Sequence, residues 1–569
     1  MLHPLSVLSL LLLPLSQSGC KHADVALGPV DSSSATDSPT EADPLDSVPG
    51  VPTDTAPEPE DGCPALYDQD VLPAFTLDLS DAEWAALQAD YTTGTKSWHP
   101  AAFTSTVDGE VVVIDDAAVR LSGNPGFSWI GPKMQFAISF TQYNEEGRLD
   151  GLRKLKLDAS WYDPSLVRDR LAYAYLRDLG VSAPCANNAT LAINGAYYGL
   201  YKNIEFADQE FLERVMGRED SGGVLWKYGS EASVNEEEAD PRHMRDLWSH
   251  SDVAWQEANT DLDGNLLEWA GEALIPQDDG YWCCAHNFYI YEHPTKGFQF
   301  LPWDMDYTFD SAPYFADPDT FYRDSNSQPH LDAVAADPTW GPRWVAALET
   351  ATGAYDPDVM DQRITDWSAQ IEDAFASDPT TTISAQAHAD AIARMPGWIR
   401  SRSAFMQSWV ARKQGEARDA DGDGYTTAAG GTDGGDCDDS TSTIHPGATE
   451  ACNRRDDDCN GLFDDDSTCD ACEEHSFGDS RFLVCGNPTN HADAQRECGE
   501  AGGALGYPVT TEEWYLIVYT TYWQEHAWSG YSSWWADPGG GGCQALTPTS
   551  WAAGAADCTA VLPAVCRLP

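Results

Sequence analysis

Residues 288–301 of this 569-residue chain carry a sequence pattern that predicts a local fold. Residues 288–291 and 298–301 are short runs rich in aromatic residues, and the His-Pro-Thr-Lys-Gly sequence between them is typical of a turn, which together predict a β-hairpin. In such a hairpin Asn287 and Asp304 become neighbours at the open end, with Asp279 one short loop away. Two carboxylates and an amide that converge in this way offer the oxygen ligands that suit Mg²⁺.

The excess of acidic over basic residues limits the kinds of partner that the chain can bind. The chain has 92 acidic and 32 basic residues, a net charge of −60. Nucleic-acid binding needs stripes of Lys and Arg, so the composition argues against a nucleic-acid partner. The length exceeds that of a single hydrophobic core, and three or four structural units are expected.

The cysteines divide by region. Apart from Cys20, four of the fifteen cysteines lie between 63 and 284, four between 437 and 469, and six between 472 and 566. Even numbers in each region suit disulfide pairing within regions, which predicts an oxidising compartment. The adjacent Cys283 and Cys284 are expected to pair with Cys63 and Cys185, because neighbouring cysteines rarely bond to each other.

The N-terminus predicts export. Residues 8–15 form an apolar run too short to span a bilayer, followed by small residues and Cys20. This resembles a bacterial lipoprotein signal of residues 1–20, with Cys20 lipidated; plain secretion is the alternative. The envelope surface, the periplasm or the exterior is the expected location, with only a lipid anchor in the membrane. Residues 21–62 contain ten acidic residues and seven prolines, which predicts a disordered linker.

Residues 63–413 mix strand and helix signals without a regular βαβ repeat, so we predict an α+β domain. Asn194-Gly195 predicts a tight hairpin turn, and residues 355–412 are predicted to be helical with a break at Asp378. The other predicted strands are 111–114, 118–121, 134–140, 155–157 and 191–193, and the other predicted helices are 80–88 and 164–179.

Several motifs of this region occur together in a recognisable order. They are the hairpin with Trp303-Asp304-Met, Val119-Arg-Leu-Ser-Gly-Asn leading to Pro132-Lys133, Leu155-Lys156-Leu-Asp158, Arg168-Asp-Arg-Leu-Ala-Tyr, and Asn194-Gly-Ala-Tyr-Tyr-Gly-Leu-Tyr. Over roughly residues 66–410 the chain resembles the CotH family of spore-coat-type atypical protein kinases. The resemblance implies a kinase-like α+β fold, a secreted or surface location, and phosphorylation of Ser on partner proteins with ATP and Mg²⁺ (or Mn²⁺).

By this resemblance and the hairpin geometry, Asp279 is the expected catalytic base, with the adjacent Asp278 as the alternative. Asn287 and Asp304 are the expected metal ligands, and Asp306 is a further candidate. Such groups suit phosphoryl transfer, in which the protein mainly positions reactants and offsets charge. The spacing departs from that of ordinary protein kinases, so the correspondence is one of role.

Two lysines, Lys133 and Lys156, are candidates for the residue that binds phosphate. Lys133 follows a Gly-Asn-Pro-Gly turn and opens a predicted strand, which favours it over Lys156 on another strand. Glu205 is a candidate ion-pair partner or extra metal ligand. The rival hypothesis for the whole core is a non-catalytic surface adhesin or pseudokinase, which does not need Asp279, Asn287 and Asp304 to converge.

Residues 416–471 form an acidic segment with four cysteines. Asp419, Asp421 and Asp423 alternate before Gly424 as in an EF-hand loop, but no Glu stands at position twelve, which excludes a full EF-hand. The following residues, which include Asp436, Asp438, Asp439 and His445, resemble the MopE-type metal-binding repeat of bacterial surface proteins. Hard oxygen ligands favour Ca²⁺, whereas copper needs softer ligands than one His offers.

Residues 472–569, rich in Cys, Trp and Gly, resemble a C-type lectin-like domain of the long form. The resemblance implies three disulfides, Cys472 with Cys485, Cys498 with Cys566, and Cys543 with Cys558. The Glu-Pro-Asn and Trp-Asn-Asp motifs that carry Ca²⁺-dependent sugar binding in that family are absent. A glycan or a protein is the expected ligand of this module.

Overall fold

The computed structural model describes residues 62–125, 128–129, 131–277, 280–281, 286–309, 316, 318, 329–415, 421, 423, 425–426, 435–438, 441–449 and 457–459, and the backbone of strands between 472 and 568. Helices and sheets mix throughout residues 62–415, so the α+β class is confirmed for this part of the chain.

Seven strands near the N-terminus close into a barrel in the order β1-β2-β3-β4-β5-β7-β6. All neighbouring pairs are antiparallel except β1 with β6. Alternate apolar side chains fill the interior, among them Phe75, Phe103 and Phe136. The strands are β1 Ala74–Asp78, β2 His99–Val107, β3 Glu110–Leu121, β4 Phe136–Ser139, β5 Lys154–Asp158, β6 Ala186–Ile193 and β7 Ala196–Glu205.

The barrel confirms the predicted Asn194-Gly195 hairpin and corrects one boundary. Both residues of this turn have positive φ, as a tight β6–β7 connection requires. The two strands predicted at 111–114 and 118–121 are one continuous strand, β3. Asp115 and Asp116, which lie between the two predicted strands, are exposed residues of β3, at a point where the ladder with β2 has a register shift.

A second sheet has the order β11-β10-β8-β9 and packs with helices around a larger core. Its strands are β8 Val224–Lys227, β9 Glu231–Val234, β10 Phe288–His293 and β11 Gly297–Pro302. The helices are α1 Asp81–Thr93, α2 Arg168–Asp178, α3 Gln209–Met216, α4 Pro241–Ser249, α5 Val253–Asn259, α6 Leu262–Leu274, α7 Pro329–Ala336, α8 Gly341–Ala354, α9 Pro357–Ala376 and α10 Ala385–Gln414. No helix in the described ranges is long and apolar enough to cross a bilayer.

The predicted break at Asp378 is confirmed between α9 and α10. Oδ1 of Asp378 accepts the backbone N–H groups of Thr380 and Thr381, which turns the chain. Oδ2 accepts the N–H of Leu200 on β7 and so ties the turn to the barrel. Helix α10 then starts at Ser384, whose hydroxyl accepts the N–H of Ala387 as an N-cap.

The cysteine pairing expected for the core is wrong. Cys63 and Cys185 are bonded to each other, with Cα atoms 5.8 Å apart, and therefore cannot pair with Cys283 and Cys284. The bond fastens the start of the domain to the residue before β6. Cys283 and Cys284 lie outside the described residues.

The C-terminal strands form a further sheet, in the order β12-β13-β18-β15-β16-β17 with β14 on β18. In the β12–β13 hairpin, the backbone positions of Cys472 and Cys485 are directly opposite. The lectin-like class and the three disulfides stay predictions. The strands are β12 Cys472–Phe477, β13 Ser480–Thr489, β14 Ala504–Leu505, β15 Ser533–Trp535, β16 Gln544–Thr547, β17 Ala552–Ala555 and β18 Leu562–Leu568.

Helix α6 buries two carboxyl groups one turn apart, Glu268 and Glu272. Neither oxygen of Glu268 accepts a hydrogen bond from a described residue. Burial, together with the neighbouring Glu272, raises the pKa of Glu268 well above its ordinary value. The folded protein therefore holds a proton at Glu268 that the unfolded chain releases near neutral pH.

This arrangement predicts a pH-dependent gain of stability in Glu268→Gln. A raised carboxyl pKa contributes stability at pH values below the unfolded pKa, about 4.3, and that contribution is lost as the pH rises. The neutral amide does not titrate, so we expect the variant to be more stable than the wild type at pH 8 by on the order of 1 kcal/mol. Thermal unfolding at acidic and alkaline pH measures the difference; a gap that does not grow with pH would contradict the prediction.

Candidate active site

The predicted aromatic hairpin is present and sets the position of two polar side chains. In the β10–β11 pair Phe288 lies opposite Pro302, so Asn287 precedes the first strand and Asp304 follows the second at the same end. Both residues have left-handed backbone conformations, with φ of 46° and 59°. Asn and Asp tolerate this region better than other residues with a Cβ, and such conformations concentrate at functional sites.

Helix α2 holds the segment that carries Asp304. The backbone N–H of Asp304 donates to the hydroxyl of Tyr173 at 2.9 Å, and the N–H of Met305 donates to Oδ1 of Asp169, also at 2.9 Å. On the other side of the hairpin the hydroxyl of Tyr228 donates to Oδ1 of Asn287 at 3.4 Å. Hydrogen bonds from two different elements thus fix the open end of the hairpin.

Lys156 from the barrel meets this end of the hairpin. Its Nζ lies 3.3 Å from Oδ1 of Asp304 and 3.4 Å from Oδ2 of Asp158, and 4.9 Å from the centre of the Trp303 ring. Burial disfavours the charged ammonium, but Asp304 and Asp158 outweigh burial and raise the pKa of Lys156. Lys156 is therefore a cation at neutral pH, next to a proposed metal ligand.

A second lysine, Lys202 on β7, shares the Asp158 carboxylate with Lys156. Its Nζ is 2.5 Å from Oδ2 of Asp169, 3.4 Å from Oδ1 of Asp158 and 4.0 Å from Oδ2 of Asp306. Although burial opposes its charge, Asp158 and Asp169 raise the pKa of Lys202 well above its usual range. Sequence reasoning missed Lys202, Asp158 and Asp169 as members of the site. The available signal was the alternation Leu-Lys-Leu-Asp in β5, which places Lys156 and Asp158 on the same face of the strand, opposite the two leucines.

The cluster contains more carboxyl groups than ammonium groups. Its four carboxylates are those of Asp158, Asp169, Asp304 and Asp306, and its two ammonium groups are those of Lys156 and Lys202. Burial opposes ionisation of Asp158, but Lys202 and Lys156 outweigh burial and lower its pKa to about 2. At Asp306 burial and the neighbouring carboxylates outweigh Lys202 and raise the pKa well above its usual range.

This donor set fits a divalent cation. Asp304 and Asp306 offer carboxylate oxygens and Asn287 an amide oxygen, the hard ligands that Mg²⁺ and Mn²⁺ prefer. The carboxyl groups outnumber the ammonium groups, and a bound divalent cation would offset the negative charge that opposes ionisation of Asp306. The chemistry of the residues is therefore compatible with metal at the open end of the hairpin.

The structure places two other predicted residues outside this cluster. Lys133 is buried, donates to the carbonyl of Leu200 and forms an ion pair with Asp378 at 2.7 Å. Glu205 forms an ion pair with Arg214 at 2.5 Å and also accepts the N–H of Cys185. Neither of these contacts involves Asp304. The candidate bases Asp278 and Asp279 lie outside the described residues.

A second cluster of carboxylates lies in the acidic segment. One oxygen each from Asp421, Asp423 and Asp436 falls within 4.8 Å of the others, a geometry that could hold a metal ion. Asp436 is fully buried, and the adjacent Cys437 is bonded to Cys459. The disulfide and the carboxylates thus join the EF-hand-like stretch to the repeat that follows. Asp438 is also buried, whereas Asp419 and Asp439 lie outside the described residues.

Two protein-family profiles match the chain. The CotH kinase protein profile matches residues 119–263 and 253–406, a range that includes the end of β3, the barrel strands β4 to β7 and the hairpin. The MopE-type copper-binding profile, described as a metal-binding motif, matches residues 436–465. The second range contains Asp436 and both cysteines of the 437–459 disulfide.

Two curated relatives bear the name of a spore coat protein or of a protein like it. Inner spore coat protein H of Bacillus subtilis is 24% identical over 206 residues, which cover 31% of this chain and 55% of the relative. Inner spore coat protein H-like protein of the same organism is 48% identical over 60 residues, 10% of this chain and 20% of the relative. The chain therefore spans about half the length of the first relative and a fifth of the second.

Among solved structures, the HipA, HipB and operator DNA complex of the Shewanella oneidensis toxin–antitoxin system gives a TM-score of 0.26 at 12% identity. The match covers 48% of this chain and 64% of that chain.

Proposed function

Because this chain belongs to the CotH kinase protein family, we propose that its core domain, residues 63–413, transfers the γ-phosphate of ATP to Ser or Thr of a protein. The observation that carries the proposal is the ion pair of Lys156 with Asp304 at the open end of the hairpin, beside the amide of Asn287. This supplies, in one place, a cation for phosphate oxygens and oxygen ligands for metal.

Each residue has a defined part in the proposed reaction. Bound Mg²⁺ or Mn²⁺ offsets the charge of the ATP phosphates. Asn287, Asp304 and Asp306 are the residues that would hold it. Lys156 donates to a phosphate oxygen once its ammonium group exchanges the contact with Asp304 for a contact with phosphate. Asp279, or Asp278 beside it, accepts the proton of the attacking hydroxyl.

The contacts of the two lysines favour Lys156 over Lys133 as the residue that binds phosphate. Lys133 forms an ion pair with Asp378 and helps to fix the α9–α10 turn, whereas Lys156 forms an ion pair with Asp304. Lys156 is therefore the proposed phosphate-binding residue. Tyr173 and Asp169, which hold the backbone of Asp304 and Met305, are positioning residues.

Incubation of the purified full chain with γ-labelled ATP and Mg²⁺ or Mn²⁺ tests the proposal. We expect incorporation of label into the chain itself or into added dephosphorylated casein, with phosphoserine or phosphothreonine in the acid hydrolysate. An absence of incorporation with either metal, from protein that is folded by circular dichroism, would favour the non-catalytic adhesin or pseudokinase.

For the acidic segment we propose Ca²⁺ binding by Asp421, Asp423 and Asp436, with Asp419, Asp438 and Asp439 as further ligands. All are hard oxygen donors, and this supports Ca²⁺ over copper. Isothermal titration calorimetry of the full chain with Ca²⁺ should show a site that Asp436→Asn weakens about tenfold or more. Asp116→Asn, a carboxylate on the exposed face of β3, is the matched control. Binding of Cu²⁺ but not Ca²⁺ would contradict this assignment.

The location and the partners are also proposals. We propose export of the chain through the signal at residues 1–20, with lipid attached to Cys20, so that the kinase core acts on proteins at a cell surface or outside the cell. The C-terminal module would bind a glycan or a protein there. Mass spectrometry of the protein from membranes tests the first point, because the N-terminal peptide should begin at a diacylated Cys20.

A further inference from the structure

The outer half of strand β3 is an edge without a second neighbour in the described part of the chain. Strand β3 pairs with β2 from Glu110 to Val119 but with β4 only from Ala118 to Leu121. Backbone N–H and C=O groups that point away from β2 between 111 and 117 therefore have no ladder partner among the described residues. Such an edge is a template on which another chain can add a strand.

This edge is apolar where protein edges are usually protected. Val111, Val112 and Val113 are 60%, 45% and 57% exposed. Strand β2 keeps its pairing with β1 as far as Thr106, which lies opposite Val111, and Ser105 opposite Val112 is buried. The exposure of the valines therefore arises on β3, at positions where β4 does not pair with it. Natural edges are usually protected by Lys, Pro or a bulge. The register shift of the β2–β3 ladder falls at Asp115 and Asp116, beyond the three β-branched valines, which have no such protection at their own positions.

Acidic residues frame the valines on both sides. Asp108 and Glu110 precede them, Asp115 and Asp116 follow, and all four are exposed. None of the four forms an ion pair with another described residue. Their combined negative charge favours a partner strand with basic residues at both ends.

The same charges disfavour a second copy of this chain as the occupant. An antiparallel two-fold pairing of the valine runs brings the acidic residues that precede the valines in one copy near Asp115 and Asp116 of the other. Like charges directly opposite each other destabilise a strand pair. The acidic frame thus acts against self-association and admits a basic partner.

We propose that the outer edge of β3, residues 110–116, binds an extended segment of a partner protein by strand addition, and that this segment has apolar β-branched residues at its centre and Lys or Arg at both ends. Main-chain hydrogen bonds along the edge provide affinity, the valines contact the apolar centre, and the four acidic residues select the basic ends. The surface does not use any residue of the proposed active site.

A labelled peptide tests this surface. The probe is fluorescein-labelled Lys-Lys-Val-Thr-Val-Thr-Val-Lys-Lys, titrated with the full chain and followed by fluorescence anisotropy. We expect saturable binding that weakens with added salt, and no binding of the peptide that has Glu in place of each Lys.

Variants at the edge give the matched comparison. Asp115→Lys with Asp116→Lys reverses the charge at one end, and Val111→Ser with Val113→Ser removes the apolar contact. Each pair should weaken binding about tenfold or more. Glu236→Lys with Glu237→Lys, on an exposed turn, makes the same charge change elsewhere and should leave binding within about twofold of the wild type.

Three results would overturn the proposal. The first is an absence of saturable binding to the wild type. The second is binding that neither edge variant weakens although both fold. The third is a wild-type dimer in sedimentation that the edge variants dissociate, because the edge would then belong to a second copy. These readouts measure binding and assembly, so they stand or fall separately from phosphate transfer.

Discussion

Asp304→Asn is expected to lower the rate of phosphate transfer by about 10²- to 10³-fold, the scale of losing one preorganised charged group at a reaction centre. The substitution keeps the shape of the side chain and the backbone bond from residue 304 to Tyr173. It removes a negative charge from the proposed metal ligand and from the partner of Lys156. The initial rate of label transfer from ATP, with Mg²⁺ saturating for the wild type, measures the effect.

A control separates chemistry from folding in that experiment. Asp373→Asn makes the same change on the exposed face of α9 and should keep the wild-type rate. Thermal unfolding should show that the Asp304→Asn variant is folded at the assay temperature. A rate within about twofold of the wild type would remove Asp304 from the proposed metal site, whatever the activity of the chain.

Lys202→Met is expected to destabilise the core domain by about 3–5 kcal/mol, the scale for removal of one partner from a buried ion pair. Lys202 is buried and contacts Asp169 at 2.5 Å and Asp158 at 3.4 Å. Its loss leaves these two carboxylates facing each other with less positive charge. Urea unfolding of the full chain, followed by tryptophan fluorescence, measures the change in free energy.

The double variant Lys202→Met with Asp169→Asn identifies the cause. Removal of one of the stranded carboxylates should restore part of the lost stability, because the remaining repulsion is then smaller. If the loss came from the side-chain volume alone, the second substitution would restore nothing. Unfolding of Lys202→Met at the wild-type urea concentration would contradict the proposed role of the network.

Local sequence signals predicted the elements that local interactions determine. The hairpin at 288–302, the Asn194-Gly195 turn and the break at Asp378 each depend on residues within a few positions of one another. Turn residues and capping carboxylates act over that range, so the sequence pattern is sufficient to predict these turns without knowledge of the tertiary structure. The local pattern also divided β3 into two strands, because it does not show that a register shift at exposed residues can lie within one strand.

The choice between lysines required long-range contacts. Lys133 precedes β4 and Lys156 lies in the middle of β5, and the turn before Lys133 favoured it. The structure joins Lys133 to Asp378, which is 245 positions away, and Lys156 to Asp304, which is 148 positions away. No pattern in the neighbourhood of either lysine contains that information. The pairing of Cys63 with Cys185 was hidden for the same reason.

The sequence by itself determined the α+β class, the CotH-type motifs, and the hairpin that brings Asn287 and Asp304 to one end. Short-range backbone preferences and side-chain periodicity are sufficient for these features. Only the tertiary structure decided that Lys156 faces Asp304, that Lys202 lies behind it among four carboxylates, and that β3 has an open apolar edge. Those features arise where distant segments are brought together by burial of a common core, and the free energy of that burial depends on the whole fold.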